Sequence, residues 1–342
     1  MRVNEFPDRS ITVEGKSYLY FGGTSYLGLS THKAFQELVV EGIKKWGTFY
    51  GSSRNANIKL SIYESAEAMM AKWIEAEASI TVSSGALAGK LVLDYLSKTN
   101  AEFYHYPKTH PAIVGKDSLP LFVKGNLNPR LLDNTIENIV ISVDAILALE
   151  VVPTSFKFLD EIPKQKTITL LVDESHSIGV LGTSGRGVFS NISSKRIIKK
   201  IAVGSLGKAL GISGGYIAGE KSIINGIRNE AAFISSSGAN AAYLYAFING
   251  QHIYREQMTI LKDNMSFLFS LLNEKIKSSH NENYPVLYFQ KEGFYKKLLN
   301  QNIIITSFEY PSYDTPMNRV VITANHTKAD LKLLATALNN LI

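Results

Sequence analysis

The chain has 342 residues, a formal charge of +6 at neutral pH, 45% hydrophobic and 19% charged residues, and no cysteine. That length can bury a large core and suggests two domains, or one large domain with a smaller appendage. The lack of cysteine excludes disulfides, a thiolate nucleophile and thiolate-ligated zinc or iron–sulfur sites.

No window approaches the ~20 apolar residues of a membrane span. The opening MRVNEFPDRS has no apolar core of the signal-peptide kind, so a cytoplasmic location is expected. The cations are scattered. The densest clusters, SSKRIIKK (193–200) and YKKLL (295–299), read as solvated helix faces, so no nucleic-acid partner is expected.

In chain order, 61–77 has helical spacing, 79–85 is a short β-branched run ending in small residues, and 86–98 is helical again. The runs 136–145, 167–175 and 197–206 are rich in Ile, Val, Leu and Thr and read as buried strands. Strands separated by helices imply crossover connections and a mostly parallel sheet covered on both faces. After residue 240 the pattern changes. One long helical stretch, AAYLYAFINGQHIYREQMTILKDNMSFLFSLLNEKI, is followed by the strand-like pieces YPVLYFQ, IIITSFEY and NRVVITAN and by the amphipathic KADLKLLATALNNLI. The expected division is an arm at 1–30, a large α/β domain at 31–240 and a small α+β domain at 241–342.

Three places carry chemistry. VGSLGKALGISGGYIAG (203–219) sets Lys208 among six glycines. LLVDESHSIGVLGTSGRG (170–187) puts Asp173 and His176 just past a buried strand, where ligands of open α/β sheets bind. SSGALAG (83–89) is a strand-to-helix junction whose free N–H groups suit a phosphate. GSLGKA leaves two residues between its glycines where a nucleotide phosphate loop needs four, and no GxGxxG is present. A lysine that forms a Schiff base, a carboxylate that keeps a pyridine nitrogen protonated and a phosphate nest together suggest pyridoxal 5'-phosphate. On this reading the glycines let the cofactor approach the backbone. No metal is assigned to the site.

These residues resemble the α-oxoamine synthase family of pyridoxal-phosphate enzymes, in the fold-type-I aminotransferase superfamily. YLYFGGTSYLGLSTH (18–32) is similar to the family's YLGL segment and YGSSRN (50–55) to its GSGGSR turn. VDESHSIGVLGTSGRG resembles VDDAHGTGVLGxxGRG, and SLGKALGISGG resembles TxGKAxGxxGG. The resemblance implies a large domain with a mainly parallel seven-stranded sheet covered by helices, a small C-terminal α+β domain, and a homodimer. It implies that Lys208 is the Schiff-base lysine, Asp173 the partner of the pyridine nitrogen, and His176 the histidine near the phenolic oxygen. His110 stands for the ring-stacking histidine, with His105 as its neighbouring rival. Ser84, Gly85, Ala86, Leu87 and Ser205 fall on phosphate-binding positions. Ser236, in ISSSGAN, falls on a hydroxyl lent to the neighbouring subunit's phosphate, and Arg319 on the substrate-carboxylate arginine. Arg54 either turns inward to a carboxylate or lies in a solvated loop. Glu174 and Glu150 read as structural.

Two departures stand out. The family's glutamate and serine before the DESH strand align with Val143 and Leu147, so two polar contacts are expected to be lost. The arm before YLYF is also short, and that region serves acyl-CoA. The resemblance implies condensation of an amino acid with acyl-CoA or another acyl thioester to an amino ketone, with an 8-amino-7-oxononanoate synthase-like reaction nearest. An aminotransferase or lyase, and a non-catalytic cofactor-binding relative, are the alternatives.

Overall fold

The computed structural model describes residues 1–308 and 316–341. Positions 309, 310 and 342, the last residues of two expected elements, lie outside the described residues. The three β-branched runs form strands within a residue or two of their expected bounds, at Glu137–Asp144, Lys166–Asp173 and Ile197–Ser205. They are neighbours in a seven-stranded sheet. Its order is Ala78–Val82, Gly215–Gly219, Ile197–Ser205, Lys166–Asp173, Glu137–Asp144, Ala101–His105 and Leu119–Pro120. Gly215–Gly219 is antiparallel to both its neighbours, and the remaining pairs are parallel. Six strands therefore share one direction, and their carboxyl ends line one edge.

Both faces of the sheet are covered, which is why its strands are apolar almost throughout. On one face Val140, Leu171, Ile201 and Val203 pack against Leu91 and Val92 of the helix Gly85–Ser97 and against Ile223 and Ile227. On the other, Ile139, Ile141 and Val143 pack with Leu170, Val172 and Leu159. Farther along that sheet Ala202, Tyr216 and Ala218 join Ala66, Met70 and Ile74 of the helix Ser61–Ile74. Each fully buried aliphatic side chain contributes ~1.5–3 kcal/mol.

A second sheet has the order Ser10–Val13, Lys16–Phe21, Ile303–Phe308, Met317–Val321, Tyr284–Phe289 and His280–Asn281. The N-terminal hairpin enters it through Lys16–Phe21, parallel to Ile303–Phe308. The segment read as an arm thus supplies two strands to the C-terminal sheet.

Two expectations are corrected. The long stretch after residue 240 is two helices, Ala241–Asn249 and Gln251–Leu271. They meet at Gly250, where a Cβ would stand 2.7 Å from the Ala246 carbonyl oxygen and 3.1 Å from the Phe35 ring. The cluster 193–200 is no helix face either. It is a turn and the start of a strand, with Arg196 donating to the carbonyls of Ile162, Pro163 and Lys166 and Lys200 to that of Ile192.

Candidate active site

The carboxyl ends of the parallel strands open onto a cavity of about 270 Å³. The lining groups enter from the ends of five strands. Ser84–Ala86 follow Ala78–Val82, and His110 follows Ala101–His105. Asp144 and Asp173 close their strands. Ser205 and Lys208 come from Ile197–Ser205 and the loop beyond it. Two open grooves of about 880 and 850 Å³ lie elsewhere and contain neither this lysine nor either aspartate.

Lys208 reaches back to His176, with Nζ 2.8 Å from Nε2. The other ring nitrogen, Nδ1, lies 2.9 Å from the Tyr26 hydroxyl. Burial lowers the pKa of Lys208, against the carboxylates of Asp173 and Asp144, which raise it, while Arg319 lowers it further. Burial, then the charges of Lys208, Arg319 and His110, hold His176 well below the usual imidazole range. Burial thus disfavours the charged form of both facing groups, and an amine of lowered pKa is the readier nucleophile.

Asp173 is buried, and one of its carboxylate oxygens accepts from the Ser175 N–H at 2.8 Å. Its partner in strand register is Asp144, so the two acids stand side by side. Burial and the charge of Asp173 push the Asp144 carboxyl well above the ordinary carboxylate range, against the opposing pull of the His110 N–H and Lys208. That N–H donates to the Asp144 carboxylate at 3.2 and 3.3 Å. Asp144 corrects the expectation of a lost carboxylate. Val143 points into the core on the far face, while the cavity face of this segment carries Asp144, Ile146 and Ala148. Leu147 does not line the cavity. The acid stands one residue beyond the position assigned to it.

Ser84 caps the helix Gly85–Ser97, its Oγ accepting from the Leu87 N–H at 3.1 Å. The first N–H groups of a helix have no partner within it, and at Gly85 and Ala86 they sit at the cavity wall. Ser205 Oγ accepts from the Gly207 N–H, and the Ser205 N–H donates to Ser175 Oγ. The glycines after Lys208 serve the fold more directly than the cofactor. A Cβ on Gly215 would lie 2.3 Å from the Ser84 carbonyl carbon and 2.5 Å from the Gly85 nitrogen, so only glycine lets this strand pass beneath the junction. Gly211 turns with φ +68.

His110 borders the cavity, whereas its rival His105 does not and pairs with Ser118 at 3.0 Å. Arg319 lies outside the cavity lining but acts on it through its charge. It is mostly buried, its Nη2 donates to the Gly23 carbonyl at 3.1 Å, and its Nε is buried without a hydrogen-bond partner among the described residues. Ser236 is not brought to the cavity. Its Oγ donates to the Phe233 carbonyl. Arg54 turns inward and bonds Glu67 at 2.7 Å. Sequence reasoning missed Asp144, Ser175 and Tyr26. The first had a readable signal, because ENIVISVD and KTITLLVD both end in aspartate and are parallel neighbours.

A helix start that can receive a dianion, an amine of lowered pKa that can add to an aldehyde and a buried acid on the same cavity form a donor set that fits pyridoxal phosphate. The aminotransferase class I and II family matches residues 154–338. The chain belongs to this family. Among its relatives, the 8-amino-7-oxononanoate synthase of Petrotoga mobilis is 26% identical over 345 residues, spanning 94% of this chain and 87% of that protein. The enzyme of the same name from Thermosipho melanesiensis is 25% identical, spanning 97% and 90%. A serine palmitoyltransferase from S. paucimobilis, solved with PLP and myriocin, superposes with a TM-score of 0.81 at 18% identity, over 99% of this chain and 91% of that one. An 8-amino-7-oxononanoate synthase from Francisella tularensis gives 0.69 at 22% identity, over 95% and 97%. The fold is that of fold-type-I pyridoxal-phosphate transferases.

Proposed function

We propose that this aminotransferase-family member is a pyridoxal-phosphate-dependent acyltransferase of the α-oxoamine synthase type. It condenses an amino acid with an acyl thioester to an amino ketone, as the names of its 8-amino-7-oxononanoate synthase relatives suggest. The observation that carries the reading is the convergence of Lys208, Asp173, His176, His110 and the Ser84–Ala86 junction on one cavity at parallel strand ends.

When bound, the cofactor supplies an electron sink for the bonds at the amino acid's Cα. The chain's own residues do the rest. Lys208 would provide the attachment amine and a base of lowered pKa for moving the Cα proton. Asp173 would keep a proton on the ring nitrogen. Gly85 and Ala86, with Ser84 and Ser205, would hold the phosphate, whereas the Leu87 N–H is taken by Ser84 Oγ and Leu87 lies outside the cavity lining. His110 would cover the ring face, and His176 would stand near the phenolic oxygen, both lining the cavity. Arg319, with its unsatisfied buried Nε, takes the substrate carboxylate through charge-assisted bonds.

The same reading includes a cytoplasmic homodimer in which Ser236 reaches the neighbouring subunit's phosphate. Phe49, Ile58 and Ile234 are exposed on segments near Ser236, and apolar exposure of this kind favours burial against a second copy. Among the described residues no helix is long and apolar enough to cross a membrane. The division into an arm at 1–30, a large domain at 31–240 and a small domain at 241–342 belongs to the proposal too, with the arm's strands seated in the small domain's sheet.

Purified protein reconstituted with the cofactor, given alanine, glycine or serine with and without acyl-CoA, tests the function. Release of CoA thiol that requires one amino acid and is lost in Lys208→Ala supports it. Pyruvate formed from alanine and a keto acid, without thiol release, marks an aminotransferase instead. A bound chromophore that ignores every amino acid marks a non-catalytic relative.

A further inference from the structure

Arg319 is the middle of a row that runs across the second sheet, with Tyr288 opposite it on one neighbouring strand and Thr306 opposite it on the other. Side chains directly opposite in antiparallel strands share a face, so these stand side by side. Tyr288 fixes where that face looks, because its hydroxyl donates to the carbonyl of Ala148 on the cavity wall.

Gly23, just past the strand Lys16–Phe21, lies against the other end of the row. Its N–H donates to Thr306 Oγ1 at 3.2 Å, and its carbonyl accepts from Arg319 Nη2 at 3.1 Å. One residue is thus gripped at both ends by two neighbours in the row. The fit is close. A Cβ on Gly22 would lie 2.8 Å from Thr306 Oγ1 and 2.8 Å from the Tyr20 ring. Gly23 itself has φ +72, a conformation that glycine adopts without strain. Threonine suits the grip, since a β-branched side chain is stiff at χ1 and keeps its hydroxyl aimed. The Arg319 guanidinium is left with Nη2 pinned and with a buried Nε that has no hydrogen-bond partner among the described residues. A planar fork fixed through one nitrogen presents its other donors in a set direction, and the cost of ordering that long side chain is met before any ligand arrives.

We propose that Thr306 is a positioning residue for recognition of the substrate carboxylate. Its hydroxyl fixes Gly23, Gly23 fixes the plane of Arg319, and the unpartnered Nε is left for a carboxylate oxygen. The inference rests on Arg319 taking that carboxylate, as proposed above. Thr306 acts only through the arginine.

Cofactor-loaded protein is titrated with whichever of alanine, glycine and serine shifts its absorbance band, and with the amide of the same amino acid. Thr306→Val removes the hydroxyl and keeps the shape. It should weaken binding of the amino acid roughly three- to tenfold, the worth of one hydrogen bond, and leave the amide, which has no carboxylate, unchanged. Thr306→Ser should stay within about twofold of the wild type. In an Arg319→Gln background Thr306→Val should add nothing, because a residue that acts through another is not additive with it. Unchanged affinity for the amino acid, an equal loss for acid and amide, or full additivity with Arg319→Gln would overturn the inference. A second readout needs no cofactor. In protein labelled with ¹⁵N-arginine, the two Arg319 Nη resonances are identified by their loss in Arg319→Gln. They should be resolved in the wild type and in Thr306→Ser and merged in Thr306→Val. Merged signals in the wild type, or resolved signals in Thr306→Val, would overturn it as well. A wild type whose band ignores every amino acid would instead count against the proposed function, and the arginine spectra then decide the link from Thr306 to Arg319.

Discussion

Replacing Glu67 with alanine should destabilise the protein more than removal of any catalytic side chain. Its carboxylate is buried between the helix Ser61–Ile74 and the edge strand Ala78–Val82. It accepts from Arg54 at 2.7 Å, from the Thr81 N–H at 2.8 Å, from the Thr81 hydroxyl at 3.1 Å and from Arg228 at 2.5 Å. Arg54 also donates to the Thr81 carbonyl, and Arg228 to that of Ser79. Side chains thus satisfy the open edge of the strand where a further strand would otherwise pair. The guanidinium of Arg54 lies over the Tyr63 ring at 4.0 Å, and its side chain is only 7% exposed. Without Glu67 that cation is buried and unpaired, a loss of ~3–5 kcal/mol. Arg228 is a third exposed, so its share is small. The orphaned Thr81 N–H belongs to the same network and does not add in full.

Equilibrium unfolding in urea reads the loss. Trp73, on the same helix, and far-UV circular dichroism together report whether one transition is being measured. Arg54→Met with Glu67→Met replaces the pair by apolar groups and should recover most of the loss, since such replacements are often neutral. Thr81 also stands three residues before Ser84, so Glu67→Ala should weaken cofactor binding along with the fold. A loss below ~1 kcal/mol, the size of an exposed pair, would refute the account of a buried hub.

Three further outcomes follow. Asp144→Asn keeps an acceptor for the His110 N–H and removes an acid whose pKa burial has raised. A raised acid binds its proton more tightly in the folded chain, so it costs stability as pH climbs from the unfolded value of ~3.9 toward the folded one. Thermal melts of cofactor-free protein should therefore favour the variant at pH ~8, with the gap closing toward pH ~4, and a gap independent of pH would contradict this. Gly215→Ala should cut cofactor affinity tenfold or more by fluorescence titration, because its Cβ would overlap the Ser84 carbonyl at 2.3 Å, and unchanged affinity would mean that the junction yields. Arg319→Gln should raise KM for the amino acid by roughly ten- to a hundredfold with a smaller change in kcat, as loss of a charged hydrogen bond to the carboxylate requires; an unaltered KM would remove Arg319 from that role.

The parts of this molecule that were legible in advance are those whose cause is local. Glu137–Asp144 and Lys166–Asp173 announce themselves because a strand covered on both faces must be apolar throughout, and the residues just beyond them fall on the edge where α/β sheets bind ligands. Gly215–Gly219 was hidden for the opposite reason. Its small residues answer to Ser84, more than a hundred positions away, and look like loop when read alone. The pairing of Lys16–Phe21 with Ile303–Phe308 likewise leaves no mark in either segment. Asp144 shows how fine the margin is. Strand side chains alternate, so an alignment off by one residue moved an acid from the cavity to the core and turned a retained carboxylate into a lost one. The same logic explains why the lysine and the histidine were found but the tyrosines behind them were not. A reacting group is marked by the motif around it, whereas the groups that bond to it come from wherever the fold delivers a hydroxyl, and Tyr26 and Tyr284 lie 258 positions apart.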